Sequence, residues 1–258
     1  ASKFTSRLEV EQENPDAYRR FSVEAAAGIT YELTPQQTVS AGVNVEYAKL
    51  TDSFTVDLET ITVALPLEYV RDTRDSKLNP TSGTRLSLLV EPTYEINGGA
   101  SFVKLRAEAS AYRALDAGKR FVLAGRVVAG TIYGASLASV PANRRFYAGG
   151  GGSVRGYGYQ DIGPVNAAGK ATGGRSLLET SAELRIGVTD TIGLVPFVDA
   201  GIVSASETFS GAKFKAGAGI GVRYSTPFGP LRVDVAVPLN KESTDPDYGI
   251  YAGIGQAF

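Results

Sequence analysis

Residues 38–48 read TVSAGVNVEYA, in which Val39, Ala41, Val43, Val45 and Tyr47 alternate with Ser40, Gly42, Asn44 and Glu46. A side-chain period of two belongs to a strand with one apolar and one polar face, not to a helix. The same alternation lies on either side of this stretch. Phe21, Val23, Ala25, Ala27, Ile29 and Tyr31 alternate with Arg20, Ser22, Glu24, Gly28, Thr30 and Glu32; Val103, Leu105, Ala107 and Ala109 alternate with Lys104, Arg106 and Glu108. Runs of this kind recur at roughly residues 3–11, 19–33, 38–49, 54–70, 84–95, 101–113, 120–133, 176–188, 194–204, 213–225, 230–238 and 248–258, which predicts twelve strands.

Long one-sided sheets occur either as soluble barrels and sandwiches with the apolar face inside, or as membrane barrels with that face outside. Strand length separates the two. Soluble strands run about five or six residues, whereas a tilted membrane-spanning strand needs about nine to eleven, and most of these runs reach that length. Connections also alternate between short (LTPQQ at 33–37, LDAGK at 115–119, TDTIG at 189–193, STPFG at 225–229) and longer (EQENPDA at 11–17, SASETFSGA at 204–212, NKESTDPD at 240–247, and residues 134–175). The predicted fold is all-β: one transmembrane antiparallel up-and-down barrel over residues 1–258, both termini on the short-turn, periplasmic side of a bacterial outer membrane. Outer-membrane lipids are its first expected partners.

Composition removes most other classes. The 258 residues contain no Cys, His, Met or Trp. Disulfides, thiol nucleophiles, the usual zinc ligands and Ser-His or Cys-His pairs are therefore excluded, and no catalytic residue, metal or cofactor is expected. With 26 basic and 27 acidic residues the chain has no charge excess for nucleic acid. Lacking an initiator Met, it reads as a processed or truncated product. The absence of Met and Trp has no physical account. The glycine run in AGGGGSVRGYGYQ (148–160) suggests a phosphate loop, but neither GxGxxG nor GxxxxGK[ST] fits, and no helix follows.

Two segments break the pattern. RDTRDSKLNPTSG (71–83) is charged, yet Asn79-Pro80 and Ser82-Gly83 mark it as a solvated turn. The fourth strand changes phase, from Phe54, Val56 and Leu58 to Ile61, Val63, Leu65 and Leu67, and a β-bulge near Glu59-Thr60 would restore the outward face.

The stretch RRFYAGGGGSVRGYGYQDIGP from Arg144, with GGRSLLETSAELR, FVDAG and the ending GIYAGIGQAF, closely resembles the barrel of the bacterial surface antigen family, within it the TamA-like outer-membrane assembly proteins. The resemblance implies a barrel whose VRGY loop (Val154, Arg155, Gly156, Tyr157), at residues 134–175, turns back into the lumen so that its arginine pairs with inward carboxylates on the next two strands. Independently of the family, alternation turns Glu183 and Asp199 inward at similar height on neighbouring strands, where one guanidinium suits two carboxylates. A sharp inward fold would use positive φ at Gly149, Gly150, Gly151, Gly152, Gly156 and Gly158. The expected device is an internal latch with a positional role.

In the last strand, alternation puts Ile250, Ala252, Ile254 and Phe258 on one face, and Phe258 resembles an assembly signal. Gly249, Gly253 and Gly255 make this strand easy to part from its neighbour. The resemblance implies a seam that opens laterally so that client outer-membrane proteins pair with it by β-augmentation, without covalent chemistry. Family barrels have sixteen strands and periplasmic POTRA domains; this sequence shows neither POTRA sequence nor the first four strands, so a closed twelve-stranded barrel is one expectation and docking of a TamB-like partner is not expected. Other readings are a passive narrow pore, with a mixed-charge wall of Arg20, Glu24, Lys104, Arg106, Glu108, Arg126, Arg223, Arg232 and Asp234, an inert shortened scaffold, or a translocator whose passenger this chain lacks.

Overall fold

The computed structural model describes residues 2–258. Thirteen strands form one antiparallel sheet: β1 (Ser2–Glu13), β2 (Arg19–Thr34), β3 (Gln37–Thr51), β4 (Leu58–Ala64), β5 (Leu67–Asp72), β6 (Ser82–Glu95), β7 (Ala100–Ala114), β8 (Phe121–Tyr133), β9 (Ser176–Gly187), β10 (Ile192–Ser204), β11 (Phe214–Tyr224), β12 (Leu231–Pro238) and β13 (Gly249–Ile254). Each strand pairs with the next, except that β4 and β5 share the place between β3 and β6. They are one strand interrupted at Leu65-Pro66. Asn44 pairs with Ala64 and Ala41 with Leu67 without any change of register, and Pro66, having no N–H, breaks the ladder while its carbonyl still accepts from Gly42 N at 3.0 Å. Twelve ladder positions result, as the periodicity predicts.

The expected β-bulge at Glu59-Thr60 is absent from the structure. Register runs unbroken from Leu50↔Leu58 to Asn44↔Ala64, and Phe54 and Val56 lie in the turn before β4. The apparent phase change came from counting turn residues as strand. Residues 73–81 do form a turn, in which the Asp75 carboxylate accepts from Thr81 N (2.9 Å), Thr81 Oγ1 (2.5 Å) and Ser82 N (3.2 Å).

Burial follows the period of two. On β3, Val43, Val45 and Tyr47 are exposed while Glu46, Ala48 and Leu50 are buried, so the apolar face looks outward and the polar face inward. The same holds on β10, where Val198 is exposed and Asp199 is wholly buried. An outward apolar face on spanning strands is the arrangement a bilayer selects, because lipid solvates one face and the lumen the other. Among the described residues no helix is long and apolar enough to cross a membrane.

No ladder joins β1 to β13 among the described residues. The closed ring is therefore not seen, and the wall ends in two unpaired edges. β1 is exposed along nearly its whole length. β13 ends before the expected 258: Gly255 takes a φ of 89° and Phe258 turns inward instead of continuing the outer row with Ile250 and Ile254. Its carbonyl accepts from Arg185 Nη2 at 3.0 Å and its ring lies 6.3 Å from Tyr112.

Candidate functional site

Residues 134–175 connect β8 to β9 and pack against the inward side chains of the wall. Val140, Phe146, Ala148, Val154, Tyr157 and Ile162 of this loop form one buried cluster with Phe102, Val128, Ile132, Leu177 and Val203 of the strands. Arg155, 1 % exposed, lies within this packing.

Its guanidinium makes four hydrogen bonds. Nε and Nη2 fork onto Asp199 (2.7 and 2.9 Å), while Nη1 donates to Glu183 (2.9 Å) and to Asp234 (3.0 Å). The backbone N–H of Arg155 adds a bond to Asp199 at 3.1 Å. Glu183 and Asp199 are thus brought together as alternation suggests. Asp234 on β12 is a third partner that the sequence reading placed on the lumen wall without assigning it to the arginine.

The motif FVDAG acquires a physical meaning residue by residue, because positions i, i+2 and i+4 of β10 all face the loop. Phe197 lies under the guanidinium, 3.4 Å from ring centroid to Arg155 Cζ. Asp199 supplies the fork. At Gly201 any Cβ would stand 2.8 Å from Val154, so the glycine makes room for the loop. Gly217, across from Asp199 on β11, does the same for the carbonyl of Arg155.

Within the loop, positive φ occurs at Gly149 (106°), Gly150 (97°) and Gly156 (104°); Gly151, Gly152 and Gly158 lie outside that region. Gly151 instead rests on the ring of Tyr251, and the carbonyl of Gly152 accepts from Arg126 at 2.9 Å. Tyr157 brings its hydroxyl to Ala216 O (3.0 Å) and Asn240 Oδ1 (2.9 Å). Tyr251 of β13 accepts from Gly156 N at 2.9 Å and donates to Tyr157 O at 2.8 Å. Gly249 and Gly253, flanking Tyr251, leave space filled by its own ring and by Arg232. The edge strand is therefore held from inside by the loop as well as by β12.

A second anchorage went unread in the sequence. The 3-10 turn Ala142–Arg144 sets Arg144 against the other half of the wall. Arg144 donates to Glu46 (2.7 Å) on β3, Glu91 (3.4 Å) on β6 and Thr62 (3.4 Å) on β4, with Glu24 of β2 at 3.7 Å. Asn143 also donates to Glu46, and Arg145 pairs with Asp52 at 2.7 Å. The adjacent arginines in RRFY were the available signal, but a loop dipeptide has no periodicity to orient it. Arg144→Ala should cost about 3 kcal/mol, because Glu46 loses a buried partner; limited proteolysis in detergent should then cut first near residues 134–147 while Arg155 keeps its half of the loop in place.

An antiparallel sheet with an apolar outer face and a loop clamped by luminal arginines defines a β-barrel protein of the outer-membrane type. The chain belongs to the Omp85 superfamily, whose domain model matches residues 1–258. It is 33 % identical over 189 residues to the outer membrane protein assembly factor BamA of Nitratidesulfovibrio vulgaris, which covers 71 % of this chain and 24 % of that protein. Among solved structures it resembles BamA from Haemophilus ducreyi lacking POTRA domains 1-3, with a TM-score of 0.78 at 18 % identity over 96 % of this chain and 57 % of that one. CdiB from Acinetobacter baumannii gives 0.63 at 14 % identity, over 90 % and 42 %. The chain thus spans about a quarter of the curated relative and little more than half of the solved BamA chain. Its location is the bacterial outer membrane.

Proposed function

We propose that this barrel assembles or translocates other outer-membrane proteins by offering an edge strand to an incoming client strand. The observation that carries the reading is β13: among the described residues it has one hydrogen-bonded neighbour, β12, and it is short and steadied by a latched loop. Unpaired backbone groups in lipid cost several kcal/mol each, so such an edge gains by pairing with any strand presented to it. A client strand satisfies it by β-augmentation, and no bond is made or broken covalently. Short turns and both termini face the periplasm, from which clients arrive. The finer reading is a TamA-type barrel, supported by the VRGY loop and the inward carboxylates. A TamB-like partner would need docking elements beyond the residues described.

A passive pore is the weaker alternative, because the loop core packs across the lumen and would limit conduction to small, flickering events. The test is the folding rate of an unfolded client barrel into liposomes with and without this protein. Acceleration that Arg155→Ala abolishes supports the reading. An unchanged rate from a folded barrel overturns it.

A further inference from the structure

On the lipid-facing side of the wall, Leu88 of β6, Ala107 of β7 and Ala129 of β8 stand in one cross-strand row. Ala107 and Ala129 are adjacent and small, so the wall is hollowed beside Leu88. The opposite bank of the hollow is a loop. Residues 205–213, which join β10 to β11, bend outward over the start of β9: Ser176 shares the outward face with Leu178, yet it is 1 % exposed, and its Oγ donates to Ser206 O at 2.9 Å. Phe209 and Glu207 of this loop complete an apolar groove of about 540 Å³, with Tyr133 at the end nearest the long connections. Glu207 also pairs with Arg175 at 3.0 Å, so charged groups mark the top of the groove and hydrocarbon side chains its walls.

What fills the groove follows from where it lies. β7 and β8 are hydrogen-bonded on both sides, so they offer no free edge to a peptide strand. A second copy would bring another convex wall, which bridges a hollow without entering it. The groove is continuous with the lipid-facing surface, and a thin hydrocarbon chain is the body that enters it. Within a bilayer, association gains nothing from the hydrophobic effect and rests on van der Waals packing. A chain on the convex wall touches protein along one side; a chain lying between Leu88 and Phe209 touches it on three, and each added contact contributes dispersion energy. A straight chain follows the alanine floor, which continues down β7 through Ala109 and Ala111, whereas a cis double bond bends away from it. We propose that the groove holds one saturated acyl chain of a lipid in the leaflet at the long-loop end, the outer leaflet in the orientation given above, with the headgroup level with Tyr133, Glu207 and Arg175. An aromatic side chain at that height suits the boundary between headgroups and hydrocarbon. This inference stands whether or not the barrel assembles clients.

The experiment exposes the whole folded chain in detergent micelles to an equimolar mixture of dipalmitoyl- and dioleoylphosphatidylcholine, which share a headgroup, and counts retained lipids by native mass spectrometry. One retained dipalmitoyl lipid per chain is expected, in severalfold excess over the dioleoyl lipid. Ala129→Phe, an exposed position on the lipid face, fills the floor and should lower retention about fivefold, because the chain loses contacts on two sides. Val198→Phe, on the outward face of β10 and outside the groove, should leave retention unchanged. No retained lipid, equal retention of the two lipids, unchanged retention in folded Ala129→Phe, an equal loss in Val198→Phe, or a dimer that Ala129→Phe dissociates would each overturn the assignment. The competition on the parent protein decides even if a variant fails to fold.

Discussion

Arg155→Ala is expected to lower the melting temperature of the barrel by on the order of 10 °C and to expose residues 134–175 to protease. The cost comes less from bonds lost than from what stays behind. Glu183, Asp199 and Asp234 are each at most 1 % exposed, and without the guanidinium they lose their shared partner. Removing one member of a buried ion cluster typically costs about 3–5 kcal/mol, and a domain of this size shifts by about 2–4 °C per kcal/mol. Arg155→Lys should rescue little, because a point charge cannot fork onto Asp199 while reaching two further carboxylates. A variant as heat-resistant and as protease-protected as the parent would sink the latch.

Gly156→Val should have a comparable effect by a different route. Gly156 has a φ of 104°, and a Cβ there would stand 2.9 Å from the carbonyl carbon of Val237, a backbone atom of β12. A left-handed conformation costs a β-branched residue about 1–3 kcal/mol, and the clash can be relieved only by lifting the loop. Lifting it breaks the bond from Gly156 N to Tyr251. Hydrogen exchange of the β13 amides should therefore accelerate in Gly156→Val, and to a smaller extent in Tyr251→Phe, which removes the hydroxyl but keeps the ring. Unaltered exchange in both would show that the loop does not steady the edge strand.

Much of the wall was legible in the sequence because lipid and lumen impose opposite solvents on alternate residues, and that alternation survives in strands such as β2, β3 and β7. The turn before β4 was misread for a related reason: apolar turn residues such as Phe54 and Val56 continue a count of hydrophobicity without continuing the strand. At the site, Glu183 and Asp199 were found because they sit on adjacent strands flanking a short turn, where height can be counted. The role of Asp234 was not, since it reaches Arg155 from two strands further on and depends on wall curvature. Phe258 was misplaced because alternation gives no sign that Gly255 ends the strand and redirects the tail.

The two anchorages of the loop also set an order of events. Arg144 takes its partners from strands that precede it in the chain, with Glu46 98 positions earlier, whereas Arg155 takes all of its partners from strands that follow, Asp234 79 positions later. During synthesis or stepwise insertion the first half of the wall can seat Arg144 before β9–β12 exist, and closing a long chain segment costs entropy only slowly with length. The loop then becomes a template: once seated, it presents Arg155 as a fixed counter-charge onto which β9, β10 and β12 are recruited in turn, with Tyr251 the last to arrive. Pulsed hydrogen exchange during refolding should accordingly find amides of β3 and β6 protected before those of β10 and β12.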